Sequence, residues 1–154
     1  MAGKIEAKLG AMGLELPNAP APAANYVPFV KAGDLVFVSG QISMDASGLI
    51  KGKLGDGMTV EQGQAAAKAC ALNLLAQVKA ACDGDLDRLV RVVKLGGFVN
   101  CTADFIDQPK VINGASDLMA DLLGAAGTHA RAAVGSSSLP LGVAVEIDGI
   151  FQVK

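Results

Sequence analysis

The chain of 154 residues has no tryptophan, one tyrosine and one histidine. So few aromatics leave no base-stacking platform for single-stranded nucleic acid. Lys plus Arg is 13, Asp plus Glu is 15, and no block of like charge exists, so the basic footprint that a phosphate backbone needs is absent. A lone imidazole with no Cys or acidic residue beside it is a weak metal ligand and a poor start for a Ser-His-Asp triad. His129 therefore reads as a surface or loop residue, and no metal site is expected. No Walker A pattern occurs, and the glycines at 48, 52, 55 and 57 do not link a strand to a helix as a dinucleotide fingerprint would. No apolar run approaches the ~18–20 residues that span a bilayer. Lys4, Glu6 and Lys8 interrupt the N-terminus where a signal peptide would be apolar. The cysteines number three and form no C-x-x-C. Cys70 and Cys82 fall about 18 Å apart on one expected helix, too far for a disulfide. Cys70, Cys82 and Cys101 read as buried reduced thiols, which fits a cytoplasmic protein without membrane association.

Hydrophobic residues make up 51% of the chain and charged residues 18%, which excludes a disordered polymer. The length suits one domain, residues 1–154, with 1–16 as an N-terminal helical extension. The apolar excess points to a subunit whose surface is covered by a partner.

Ile5, Leu9 and Met12 have helical spacing, with Gly13 as a stop, and the proline-rich 17–22 segment predicts an extended connector. Tyr26–Lys31 and Leu35–Gly40 predict a hairpin turning at Ala32-Gly33-Asp34. Pro28 requires the first of these strands to lie at an edge or a bulge. Residues 43–58 form a glycine-rich loop with a short strand near 49–52. Thr59 and Gln62 make a capping box opening a helix to about Cys82, with an apolar stripe from Ala67 to Val78. Leu89–Val99 predicts a strand in which Gly96-Gly97 marks a bulge or a close backbone approach. Pro109 opens a second amphipathic helix ending at Gly124–Gly127. Ala130–Val134 is a short strand. In the final strand, Val143–Val153, the apolar Val145, Ile147, Phe151 and Val153 alternate with Glu146, Asp148, Ile150 and Gln152. The order is β-β-α-β-α-β-β, an α+β fold with two helices on one face of a mixed sheet.

One pair of charges stands out. Arg131 sits in the otherwise apolar strand ARAAV, where an unpaired guanidinium is costly to bury. Glu146 lies on the last strand. If these two strands pair, both charges reach one pocket, either as a structural ion pair or as a site in which the guanidinium binds a substrate carboxylate and the carboxylate activates water.

The stretch ARAAVGSSSLPLGVAVEI, with Arg131, Leu139-Pro140 and Val145-Glu146-Ile147, resembles the C-terminal signature of the Rid family. These are the reactive intermediate/imine deaminases, also called YjgF-like or endoribonuclease L-PSP. Upstream, NAPAPAANYVPFVKAGDLVFVSGQI is similar to the family's N-terminal block, with Tyr26 ahead of Ser39-Gly40-Gln41. The likeness runs from about Pro17 to Val153. Two positions depart from the pattern: His129 stands where Pro or Ala is usual, and Ala133 where Cys is frequent. The N-terminal extension is similar to that of a longer bacterial subgroup.

The resemblance implies a chorismate-mutase-like fold and a homotrimer with a central β-barrel and clefts between subunits. It implies cofactor-free hydrolysis of enamines and imines, such as 2-aminoacrylate, to a 2-keto acid and ammonia. Carried over position by position, Arg131 would clamp the substrate carboxylate and Glu146 would orient or deprotonate the water. Ala133 would hold that water through its carbonyl, Ser39 and Gly40 would line the cleft, Tyr26 would cover it from a neighbouring subunit, and Asn113 would be a cleft residue. The partner is then a small carboxylate-bearing imine, enamine or keto acid. Two other readings stand beside this one: a non-catalytic small-carboxylate-binding regulator, and an endoribonuclease, against which the acidic balance and single histidine speak.

Overall fold

The computed structural model describes residues 3–21 and 25–154. Helix α1 spans Lys4–Ala11. Strands β1 (Phe29–Ala32) and β2 (Leu35–Ile42) are followed by four two-residue strands, β3 (Met44–Asp45), β4 (Gly48–Leu49), β5 (Lys53–Leu54) and β6 (Gly57–Met58). Then come α2 (Val60–Ala81), β7 (Leu89–Asn100), α3 (Gln108–Leu123), β8 (Ala130–Ser136) and β9 (Val145–Val153).

The five long strands form one sheet in the order β1-β2-β9-β7-β8. Only β7 and β8 run parallel, so the sheet is mixed, as the element order predicts. Helices α2 and α3 pack together across one face. Alternation along β9 is the reason that face is apolar: Val145, Ile147, Phe151 and Val153 are buried, while Glu146, Asp148, Ile150 and Gln152 are more open. Each fully buried side chain of this kind contributes about 1.5–3 kcal/mol.

Local chemistry explains the boundaries. The Thr59 hydroxyl accepts from the Gln62 amide at 3.1 Å, and the Gln62 side chain accepts from the Thr59 amide at 2.9 Å. This capping box opens α2 and stabilises it by roughly 1 kcal/mol. The helix ends where Asp83 and Gly84 take positive φ. β1 starts at Phe29, three residues later than expected, because Pro28 has no amide for the ladder; its carbonyl instead accepts from Ser39 N at 2.9 Å. β1 is an edge strand, the place where a neighbouring proline is tolerated.

Gly96-Gly97 forms no bulge; the ladder slips instead at Val38/Gln41, Leu89/Arg91 and Val92/Lys94. The pair serves close approach. A Cβ on Gly97 would lie 2.6 Å from the Ile112 side chain, and one on Gly96 would collide with Asp148. The glycine-rich loop closes as two small ladders, β3 with β4 and β5 with β6. Gly48, Gly52, Gly55 and Gly57 all take positive φ there.

α1 is anchored from a distance: the Asp87 carboxylate accepts from the Lys4 amide at 2.8 Å and from the Ile5 amide at 3.0 Å. Those bonds hold the Asp87 carboxyl below its ordinary value. The proline-rich connector has no regular structure from Leu14 to Ala21, where the Gln77 amide binds the Pro20 carbonyl at 2.7 Å; its remainder, 22–24, lies outside the described residues. Cys70, Cys82 and Cys101 are buried free thiols, and no described helix is long and apolar enough to cross a membrane.

Candidate functional site

The pairing that would bring Arg131 and Glu146 together on adjacent strands is not formed. β8 pairs with β7, and β7 separates it from β9. The register places Arg131 opposite Leu95, and Leu95 opposite Gly149; Glu146 lies opposite Phe98, and Phe98 opposite Val134. Two strand spacings across and three residues along put the two backbones about 14 Å apart. They also fall on different faces. Leu95 is wholly buried under the helices, so Arg131 shares the helix side, whereas Phe98 and Val134 are exposed, so Glu146 shares the outer side. Sequence periodicity shows which residues share a face within a strand, but not which strand stands next to which.

Arg131 lies at the edge of the sheet, where α3 leans over β8. Its Nη1 donates to Asn113 Oδ1 at 2.8 Å and to Ser116 Oγ at 3.0 Å, and its Nη2 to the Pro109 carbonyl at 3.4 Å. All three acceptors are neutral. Among the described residues no carboxylate pairs with this guanidinium, and its Nε and one Nη2 proton have no protein acceptor. It opens on a cavity of about 320 Å³ shared with Asn113, Ser116, Asp117 and His129. A guanidinium held on neutral groups keeps its full charge for a ligand, and two free donors match one carboxylate.

Glu146 occupies a different setting. It opens on a cavity of about 330 Å³ with Tyr26, Pro28, Gly40, Gln41 and Met44. Its side chain takes no hydrogen bond among the described residues. Burial pushes its carboxyl above the ordinary value, and Asp148 on the same strand face adds to the effect. Asp148 is raised by its own burial, partly offset by the Gly96 amide and Lys94. Gly40 fits because a Cβ there would lie 3.0 Å from the Glu146 carboxyl carbon. The slip in the β2–β9 ladder at Ser39-Gly40 creates this approach. At the mouth, Leu141 is 62% exposed and held at φ 60°, a left-handed conformation that costs an L-residue about 1–2 kcal/mol.

The predicted site residues thus sort into groups. Tyr26 and Gly40 stand with Glu146, and Asn113 stands with Arg131. Ser39 lines a neighbouring cavity with Lys94 and Asp148, its hydroxyl donating to the Val27 carbonyl at 2.8 Å. Ala133 lies two residues from Arg131 on the same side of β8, packed against the core.

Two members of the Arg131 group escaped the sequence reading. Ser116 is one turn from Asn113 on α3, a spacing that points both side chains the same way. His129 is two residues from Arg131, the strand spacing for a shared face. Neither pattern is distinctive until α3 is known to cover β8. His129 is no plain surface residue: it is partly buried, with hydrogen bonds at both ring nitrogens. A cavity of about 620 Å³, lined by the 45–58 loop with Gln62 and Ala65, contains none of the predicted residues. Among the described residues no three His, Cys, Asp or Glu side chains gather as a metal site requires.

Comparison with known proteins agrees with this architecture. Protein TCP17 of Trypanosoma cruzi is 49% identical over 154 residues, covering 99% of this chain and 96% of that protein. The crystal structure of the protein Atu1372 from Agrobacterium tumefaciens superposes with a TM-score of 0.91 at 49% identity, over 97% of this chain and 92% of that one. A structure from Shewanella oneidensis, described as a "putative endoribonuclease", gives 0.92 at 35% identity, over 98% and 100% of the two chains. The family profile described as "YjgF/chorismate_mutase-like, putative endoribonuclease" matches residues 6–148. With that span and these relatives, the chain belongs to the YjgF/chorismate-mutase-like family.

Proposed function

We propose that the protein hydrolyses enamine and imine intermediates such as 2-aminoacrylate to a 2-keto acid and ammonia, without metal or organic cofactor, in clefts completed between copies of the chain in a homotrimer. The observation that carries this reading is Arg131, a half-buried guanidinium cradled by neutral acceptors with two donors left over. Such a group suits a small carboxylate.

The chemistry needs little more. The protonated imine carbon is already electrophilic, so the protein has only to fix the carboxylate and deliver water. Glu146, raised by its apolar surroundings, takes a proton as the water oxygen bonds to that carbon. That proton passes to nitrogen, the carboxylate then takes the hydroxyl proton as the C=O bond forms and the C–N bond breaks, and ammonia leaves; an enamine such as 2-aminoacrylate enters this sequence once its methylene carbon has taken a proton from solvent. Ala133 is assigned to this cleft through its carbonyl, and Ser39 through its place beside Gly40.

The separation of Arg131 from Glu146 within one chain supports a cleft built from two copies, each supplying one half. The outer sheet face supports such assembly, since Phe37, Phe98 and Val134 lie exposed on it.

The test is to generate 2-aminoacrylate enzymatically and follow pyruvate and ammonia release against protein concentration. Release should rise in proportion and fall by roughly 10²–10³-fold with Arg131→Ala. An unchanged lifetime of the intermediate across a wide protein range overturns the enzymatic reading. Keto acids that raise the melting temperature without any turnover would then identify a binding protein.

A further inference from the structure

We propose that His129 is a positioning residue for Arg131, acting through Ser116; this rests on the reading of Arg131 as a carboxylate clamp. His129 Nδ1 lies 2.6 Å from the Gly127 carbonyl oxygen, which can only accept. The proton therefore sits on Nδ1, and in the neutral ring Nε2 carries a lone pair. Ser116 Oγ is 2.9 Å from that nitrogen, so its hydroxyl proton points to the imidazole. The lone pairs of the same oxygen then face Arg131 Nη1, 3.0 Å away. The chain runs Arg131 N–H to Ser116 O–H to His129 Nε2, with Ser116 and His129 each accepting once and donating once.

The consequence is directional. A serine hydroxyl with no fixed acceptor rotates and offers its proton to the guanidinium for part of the time. With its proton held by His129 it is an acceptor only. Together with Asn113 Oδ1 at 2.8 Å it occupies both Nη1 protons, and with the Pro109 carbonyl on Nη2 it leaves Nε and one Nη2 proton beside the cavity.

Two substitutions separate the positioning role from a structural one. His129→Asn reaches the Gly127 carbonyl but not Ser116. His129→Gln extends a carbonyl oxygen to the place of Nε2 and keeps an acceptor for Ser116. Pyruvate affinity is read by calorimetry, and turnover of 2-aminoacrylate gives KM and kcat. The expected result is a loss of about five- to tenfold in pyruvate affinity for His129→Asn and for Ser116→Ala, the size of one lost hydrogen bond. The loss should fall more on KM than on kcat. The double variant should be no weaker than either single one, the mark of a shared path. His129→Gln should recover most of the affinity.

The relay is also read in the protein alone. Side-chain NMR of Arg131 should show faster exchange of its N–H protons in Ser116→Ala and His129→Asn than in wild type or His129→Gln. Additive losses, a Gln variant as weak as the Asn variant, or unchanged Arg131 exchange overturn the proposal. Failure of wild type to bind pyruvate, with the Arg131 exchange pattern as expected, would sink the carboxylate clamp and leave the relay standing.

Discussion

The Arg131 and Glu146 cavities are nearly equal in size, about 320 and 330 Å³, and are built in opposite ways. Around Arg131 the hydrogen-bond acceptors are Asn113, Ser116 and a backbone carbonyl, all neutral, and Asp117, which shares the cavity, forms no ion pair with it, so a permanent charge is held in place. Around Glu146 the protein supplies Tyr26, Pro28 and Met44 and, among the described residues, no hydrogen bond, so the charge itself becomes adjustable. One half fixes geometry and the other tunes a proton. A guanidinium cannot lose its proton at ordinary pH, so geometry is the only property left to control, whereas a carboxylate near apolar groups changes its proton affinity readily.

The contrast is broken most severely by Arg131→Ala, which should lower kcat/KM on 2-aminoacrylate by roughly 10²–10³-fold, chiefly through lost carboxylate binding, with little change in melting temperature. Steady-state kinetics beside thermal unfolding checks both parts.

Glu146→Gln should cut kcat by about 10²-fold or more while pyruvate affinity changes far less. This substitution also carries a pH signature. Burial raises the folded-state pKa, so the folded protein keeps a proton over an interval in which the unfolded chain has lost it. The stability from this group is complete below the unfolded pKa and is lost as pH rises through the raised folded value. Relative to wild type, Glu146→Gln should therefore gain melting temperature as pH climbs from the ordinary carboxylate range toward neutrality. In wild type the acid limb of kcat should lie above that range, because the base form appears only above the raised pKa.

A third change should separate the halves structurally. A Cβ on Gly114 would collide with the Gln64 carbonyl oxygen where α2 and α3 touch, and a backbone atom cannot swing aside. Gly114→Ala should cost about 2–3 kcal/mol in chemical denaturation. Because α3 carries Asn113 and Ser116, it should shift NMR signals around Arg131 more than those around Glu146. The smallest effect is expected from Asp87→Ala, far from both cavities. It should speed amide exchange at Lys4 and Ile5 and leave kinetics untouched. Since Asp87 is held below its ordinary pKa, the anchoring in wild type should persist above the unfolded carboxylate value and fail as pH falls through the lowered one.

Much of this was legible in local patterns. The Thr59–Gln62 box, the stripe along α2 and the alternation in 145–153 each involve residues a few positions apart, and each appears where expected. The first strand begins at Phe29 rather than Tyr26, and of the two readings of Gly96-Gly97, bulge or close approach, the structure takes the second, each for a local reason as well. Proline shortened one strand, and close packing against Ile112 accounts for the glycines without any slip in register. The site was legible by composition rather than by place. Arg131 and Glu146 stand out as charges in apolar strands, and Asn113 emerged only through family likeness. Ser116 carried no signal at all, since a serine on a helix is ordinary until a guanidinium sits 3.0 Å away.

The order of apolar and polar residues along the chain by itself determined the elements, their buried faces and the charges worth watching, because period and capping act over a few residues. Only the tertiary structure decided that β7 separates Arg131 from Glu146, and that α3 rather than β9 completes the guanidinium's surroundings. Strand order depends on which distant segments exclude water best when packed together. That competition is settled by the whole chain at once, and no local spacing records its outcome.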